Sequence, residues 1–212
     1  MPYTIAKRII PPIVNIWVER INGIENIPKK GGFIIAANHA SYMDHLIIIA
    51  NFVTYLNRKV HFLSKKEHFD NIFKAAWHTY AGAIPLDRKK GGKEALRWAI
   101  RALKQGKIIA IHPEGTRSLT GKLEKAKTGT ARLALKAKVP ILPVGLIGTF
   151  EILPKGKYIP KAKKATMEIG KPLYFTEYYN KKINKRMLNK ITIKIMKEIA
   201  RLSNQKYRFK HE

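Results

Sequence analysis

Three short stretches of the sequence set reactive or charged side chains at the end of an apolar run, and a fourth is wholly apolar. The first, Asn38-His39-Ala40-Ser41-Tyr42-Met43-Asp44, follows Phe33–Ala37. Five residues of ideal helix would turn Asp44 roughly 140° away from His39, so the two meet only if His39 lies in the turn and Asp44 in the first turn of the next helix. A carboxylate so placed holds one ring nitrogen as a donor and leaves the other as a base near neutral pH. The second stretch, His112-Pro113-Glu114-Gly115-Thr116-Arg117-Ser118, follows a run ending at Ile111. Gly115 lets the backbone approach a ligand closely, and the planar fork of Arg117 can hold two phosphate oxygens. The third, Gly82-Ala83-Ile84-Pro85-Leu86-Asp87-Arg88, again delivers an arginine at its end. The fourth, Val139–Val144 with Pro140 and Pro143, carries no chemistry and reads as a rigid apolar wall, suited to core packing or to an acyl-chain groove.

The elements between these stretches must bring their ends together. From Arg20 onward short β-rich runs alternate with longer helical ones, the pattern of an α/β layer fold. The pattern predicts strands near Phe33–Ala37, Val60–Leu63, Ala83–Pro85, Lys107–Ile111, Ile141–Ile147 and Thr166–Ile169. It predicts helices over Met43–Leu56, Lys65–Tyr80, Gly92–Lys104 and Thr130–Ala137. From Lys181 to Leu202, Ile183, Met187, Leu188, Ile191, Ile195, Ile199 and Leu202 share one stripe while Lys or Arg covers much of the rest. That basic amphipathic helix suits either the protein's own core or a membrane or carrier contact. Ile9 to Val18, interrupted by Pro11 and Pro12, suits either a lipid interface or a helix closing the core. The expected division is 1–19, an interfacial or packing segment; 20–176, an α/β domain; and 177–212, a basic helix and tail.

Composition removes several classes of site. The 212 residues include 42 Lys and Arg against 14 Asp and Glu, a formal charge of +28, and no cysteine. Disulfides, thiolate metal sites and a cysteine nucleophile are therefore excluded. The excess cation calls for a negative partner: nucleic acid, an anionic membrane surface, an acidic carrier protein or a phosphorylated small molecule. No stretch approaches the ~18–20 apolar residues of a bilayer-spanning helix, and the N-terminal run lacks the small-residue cleavage site of a secretory signal. Gly115 and Gly121-Lys122 do not form a nucleotide loop, because five residues separate the glycines and Leu123 replaces the required Ser or Thr. With no H-E-x-x-H or His/Cys cluster, no metal is expected.

In this order the segments resemble the glycerolipid acyltransferase family typified by bacterial 1-acyl-glycerol-3-phosphate acyltransferase. The N-H-x-x-x-x-D pattern is met by Asn38, His39 and Asp44, and G-x-I-x-x-x-R by Gly82, Ile84 and Arg88. P-E-G-T-R-S is met by Pro113 to Ser118, and V-P-I-x-P-V by Val139 to Val144. An aromatic-x-x-K stretch is matched by Phe62 to Lys65 and a later K-x-G by Lys127 to Gly129. The resemblance covers roughly residues 20–175, and His112 stands where an aromatic residue, usually Phe, is common.

The resemblance implies a single-domain fold, a mixed β-sheet flanked by helices, and direct acyl transfer. His39 would take the proton of an acceptor hydroxyl, which attacks the thioester of an acyl donor, while Asp44 orients and stabilises the imidazolium. The absence of Cys and of G-x-S-x-G fits that single step. Arg88 and Arg117 would hold the acceptor's phosphate, with Gly115 and Thr116 in the same binding turn. Glu114 would bind a glycerol hydroxyl, and Lys65 would serve the oxyanion or the phosphate. The acceptor implied is lysophosphatidic acid and the product phosphatidic acid, with acyl-CoA or acyl carrier protein as donor and no bound cofactor. The implied location is the cytoplasmic face of the membrane, peripheral or monotopic, on an anionic surface and without nucleic acid. His45, His61, His68, His78 and His211 read as structural or surface residues.

Two other readings remain open. One is the same chemistry on another lysophospholipid or an amino-lipid. The other is a non-enzymatic basic module for nucleic acid or membrane, which accounts for the charge but not for His39 with Asp44, Glu114 or the proline-bearing run.

Overall fold

The structure, a computed structural model, describes residues 2–65, 70–71, 82–86 and 93–210, with all of their side chains except those of 2–7, 63, 65, 86 and 93. Seven strands make one sheet: β1 (Val18–Asn22), β2 (Phe33–Ala37), β3 (Val60–Lys65), β4 (Ala83–Leu86), β5 (Ile108–Ile111), β6 (Ile141–Ile147) and β7 (Ala165–Ile169). Their order is β1-β7-β6-β2-β5-β3-β4. Every neighbouring pair is parallel except β6 with β7, so the sheet is mixed, as expected. β2 is buried at all five positions, with Phe33, Ile35 and Ala37 on one face and Ile34 and Ala36 on the other. A central strand covered on both sides has no polar face to show, which is why it reads as an unbroken apolar run.

Helices cover both faces. On the Phe33 side lie α1 (Pro2–Asn15) and α2 (Met43–Leu56); on the Ile34 side lie α3 (Lys93–Lys104), α4 (Gly129–Ala137) and α6 (Lys185–Leu202). A single turn, α5 (Thr149–Ile152), follows β6. Pro11 and Pro12 sit inside α1 and do not break it, although they deny the Lys7 and Arg8 carbonyls their helical donors. Val14 is buried and Asn15 accepts a 3.1 Å hydrogen bond from Asn51 of α2, while Ile9, Ile13 and Ile16 stay exposed. Over its described side chains α1 thus has one side in the core and one side exposed.

α6 resolves its own ambiguity differently. Met187, Leu188, Ile191, Ile195, Ile199 and Leu202 are all buried, so this stripe is core and no membrane or carrier can use it. The end of α6 lies so close on β6 that a Cβ at Gly145 would run into the Leu202 and Ser203 backbone. β1 is absent from the predicted elements; it crosses residue 19 and edges the sheet beside β7. The helix predicted over Lys65–Tyr80 lies almost wholly outside the described residues, and β3 extends through Lys65. Among the described residues no helix is long and apolar enough to cross a membrane.

Candidate active site

β6, β2, β5, β3 and β4 are parallel, so their carboxyl ends share one edge of the sheet, the edge where ligands of open α/β sheets bind. The turn after β2 carries His39 and the loop after β5 carries residues 112–118. Asn38 is buried and pairs twice with Leu146: its Nδ2 donates to the carbonyl and its Oδ1 accepts the amide, both at 2.8 Å. The contact between β2 and β6 therefore continues through a side-chain amide as the backbone turns away.

Asp44 is fully buried in the first turn of α2, and His39 lies in the turn before it, the one arrangement in which the two can meet. Its Oδ2 accepts from His39 Nδ1 and from the backbone amides of Ala40 and Ser41, each at 2.8 Å. Burial is the largest single influence and would raise the Asp44 pKa; the hydrogen bond from His39 and the other polar groups around the carboxyl together outweigh it, and the carboxyl is held below its ordinary value. An ionised Asp44 makes Nδ1 the donor, which leaves the neutral His39 ring with its lone pair on Nε2. His39 keeps 11% of its side chain exposed.

Glu114 is tied to the backbone on both sides of this edge. It is buried, its Oε1 accepts the His39 backbone amide at 2.9 Å, and its Oε2 accepts that of Glu124 at 3.2 Å. With each oxygen taking a backbone donor, it clamps the loop to the His39 turn. Burial pushes its pKa up to about 8 against the pull of those two amides. Ser118 completes the clamp, its amide donating to the His39 carbonyl at 2.8 Å.

Two further imidazoles surround His39. His112 stacks on it with ring centroids 3.9 Å apart and planes within 9°, and its Nδ1 donates to the Ala37 carbonyl at 3.0 Å. Burial lowers the His112 pKa to about 3, so the ring is neutral across the physiological range. His45 meets both rings edge-on, at 5.0 Å and 4.6 Å, and leans on Phe62 at 5.1 Å. Donor atoms of the three rings lie within 4.8 Å of one another. Lone pairs of imidazole lie in the ring plane, however, and two nearly parallel stacked rings cannot both point at one ion about 2 Å away. This arrangement is a stack and not a chelate.

Sequence context assigns His45 to structure or surface, so its place against His39 is the residue that sequence reasoning missed.

Arg117 lies on the same turn. Its guanidinium carbon is 3.6 Å from the Tyr42 ring centroid, and its Nη1 is buried without a hydrogen-bond partner. A cationic nitrogen so placed is a ready donor to an anion. Gly115 has φ 74°, in the left-handed region, with Lys127 alongside: a Cβ there would lie 3.4 Å from Lys127 Cδ. Thr116 is exposed. Lys65 ends β3 at the same edge, paired in register with Leu86, and its side chain is outside the described set. Arg88 lies outside the described residues, two positions after β4 ends.

Residues 19–147 match the Acyltransferase family. The chain belongs to the acyltransferase family. This acyltransferase-family chain is 29% identical over 181 residues to the 1-acyl-sn-glycerol-3-phosphate acyltransferase of Bacillus subtilis, a match spanning 85% of this chain and 86% of that protein. A chloroplastic 1-acyl-sn-glycerol-3-phosphate acyltransferase of Brassica napus is 31% identical over 159 residues, 73% of this chain; the match spans only 44% of that protein's length. Among solved structures, the crystal structure of the 1-acyl-sn-glycerophosphate (LPA) acyltransferase PlsC from Thermotoga maritima superposes with a TM-score of 0.72. The two chains are 26% identical, with 98% of this chain and 81% of that one covered.

Proposed function

We propose that this chain transfers a fatty acyl group from an acyl thioester to the free hydroxyl of 1-acyl-sn-glycerol-3-phosphate, giving phosphatidic acid. The observation that carries the reading is the His39–Asp44 hydrogen bond of 2.8 Å beside the unpartnered Nη1 of Arg117. His39 Nε2 takes the hydroxyl proton as the oxygen attacks the thioester carbonyl. The C–S bond breaks, and the departing thiolate takes the proton back from the imidazolium. Asp44 stays ionised throughout and steadies the charge on the ring. Arg117, with Arg88 and Lys65 as further cations, holds the acceptor's phosphate or the oxyanion, and Gly115 and Thr116 supply the close backbone of the binding turn. The donor is acyl-coenzyme A or the acyl thioester of acyl carrier protein, and the lipid acceptor is met at an anionic membrane surface on which the protein sits peripherally.

The test is to incubate purified protein with lysophosphatidic acid and, separately, acyl-CoA and acyl carrier protein thioester, and to read products by mass. Phosphatidic acid is expected from one or both. His39→Ala lowers kcat by ~10²–10⁴ with the fold retained, the range for a lost general base. Near-normal turnover in that variant would end the reading.

A further inference from the structure

Residues 154–164, between α5 and β7, contain Lys155, Lys157, Lys161, Lys163 and Lys164 and no acidic residue. All five lysines are exposed. At the tip, Tyr158 and Ile159 are 85% and 84% exposed, more than any other large apolar side chain among the described residues. An isoleucine this exposed contributes nothing to the core, and the neighbouring lysines find no acid within their own segment.

Both ends of this loop are tied down. At the first, Pro154 bridges to Ser41 of the catalytic turn, and the Leu153 carbonyl accepts the Ser41 hydroxyl at 2.7 Å and the Tyr42 amide at 3.2 Å. At the second, Trp17 Nε1 donates to the Lys161 carbonyl at 3.1 Å, and Lys164 Nζ donates to the Ile16 carbonyl at 2.5 Å, just past the end of α1. The loop is therefore strung from the catalytic turn to the foot of α1. There it meets Ile16, the last of the exposed Ile9, Ile13 and Ile16, whose spacing sets them along one helix face.

We infer that the Tyr158–Ile159 tip inserts into an anionic bilayer surface while the flanking lysines engage its headgroup phosphates. This deepens the proposed acyltransferase reading and rests on it only in requiring a lipid acceptor. Tyrosine is at home at headgroup level, lysine stems can reach back from apolar depth to the phosphates, and lasting attachment takes an apolar and a cationic signal together. An acidic carrier protein would satisfy the lysines but leave the projecting Tyr-Ile pair in water; a bilayer accommodates both, along with the isoleucine stripe of α1. Because the loop is bonded to Ser41, its insertion fixes the height of His39 above the lipid.

The chain has no cysteine, so a single Ile159→Cys offers the only thiol for a polarity-sensitive label. Lys136→Cys on α4, exposed on the opposite layer, is the control. Phosphatidylcholine vesicles with phosphatidylglycerol should blue-shift the label at 159 and not at 136, and vesicles without it should do neither. Tyr158→Ser with Ile159→Ser should weaken binding to the anionic vesicles about tenfold or more, while turnover of a water-soluble short-chain acceptor stays at the unmodified level. Binding without a shift at 159, a shift produced by acyl carrier protein in place of vesicles, or no vesicle binding at all would each overturn the inference. Failure of the unmodified chain to acylate the soluble acceptor would instead count against the reaction, and the label still reports insertion.

Discussion

Oε1 of Glu114 accepts the backbone amide of His39 at 2.9 Å, so the residue that opens the glycine turn also anchors the His39 turn. Its folded pKa, about 8, lies above the ordinary 4.5. Between those values the folded protein carries a proton that the unfolded chain has lost, so this group's contribution to stability is full below about pH 4.5 and is lost as pH rises through about 8. Glu114→Gln keeps an oxygen for the His39 amide and cannot ionise. Thermal unfolding of the unmodified protein should fall from pH 5 to pH 8 more steeply than that of Glu114→Gln; parallel curves would contradict the burial argument.

His112 should influence the site through its flat face and not through charge. His112→Phe keeps an aromatic ring against His39 and loses the donor to Ala37. The acid limb of its kcat/KM profile should coincide with that of the unmodified enzyme within about half a pH unit, because a ring with a pKa near 3 is already neutral there. A displaced limb would mean that His112 carries charge during turnover.

Arg117→Ala removes the buried, unpartnered guanidinium nitrogen from the turn. Losing a charge-assisted bond to phosphate costs about 1.5–3 kcal/mol, or roughly 10–100-fold in kcat/KM for a phosphorylated acceptor. A phosphate-free acceptor should be far less affected, and equal loss for both would assign Arg117 to another role.

Gly145→Ala places a methyl group against the Leu202 and Ser203 backbone. Since neither backbone can rotate away as a side chain would, α6 must shift, at a cost of about 1–3 kcal/mol for overpacking. Denaturant unfolding should show a lower midpoint with an unchanged slope.

Sequence made the central elements legible because each pairs a strong apolar run with turn chemistry: β2 and α2 have the predicted bounds, and β6 does as well. β1 was hidden by its position, since an edge strand carrying Glu19 and Arg20 shows no apolar period. In the site, spacing lets His39 and Asp44 meet only with His39 in the turn and Asp44 in the first helical turn, and that is their placement. The role of Glu114 does not follow from spacing, because a carboxylate in a polar turn looks the same whether it faces solvent or two buried amides. α6 shows the same limit, its stripe being equally apolar against a core or a bilayer until the sheet beneath it is seen.

The loop that follows Arg117 is held from far along the chain: the Leu123 amide donates to Gln205 at 2.9 Å and the Ala126 amide to the Tyr207 hydroxyl at 3.0 Å. Synthesis at ~5–20 residues per second separates His39 from Tyr207 by on the order of ten to thirty seconds. Late in that interval a ribosome-bound nascent chain already carries His39 and Arg117 but not Gln205 and Tyr207, which brace the loop. Competence should therefore arrive late in translation, when residues 205–207 emerge.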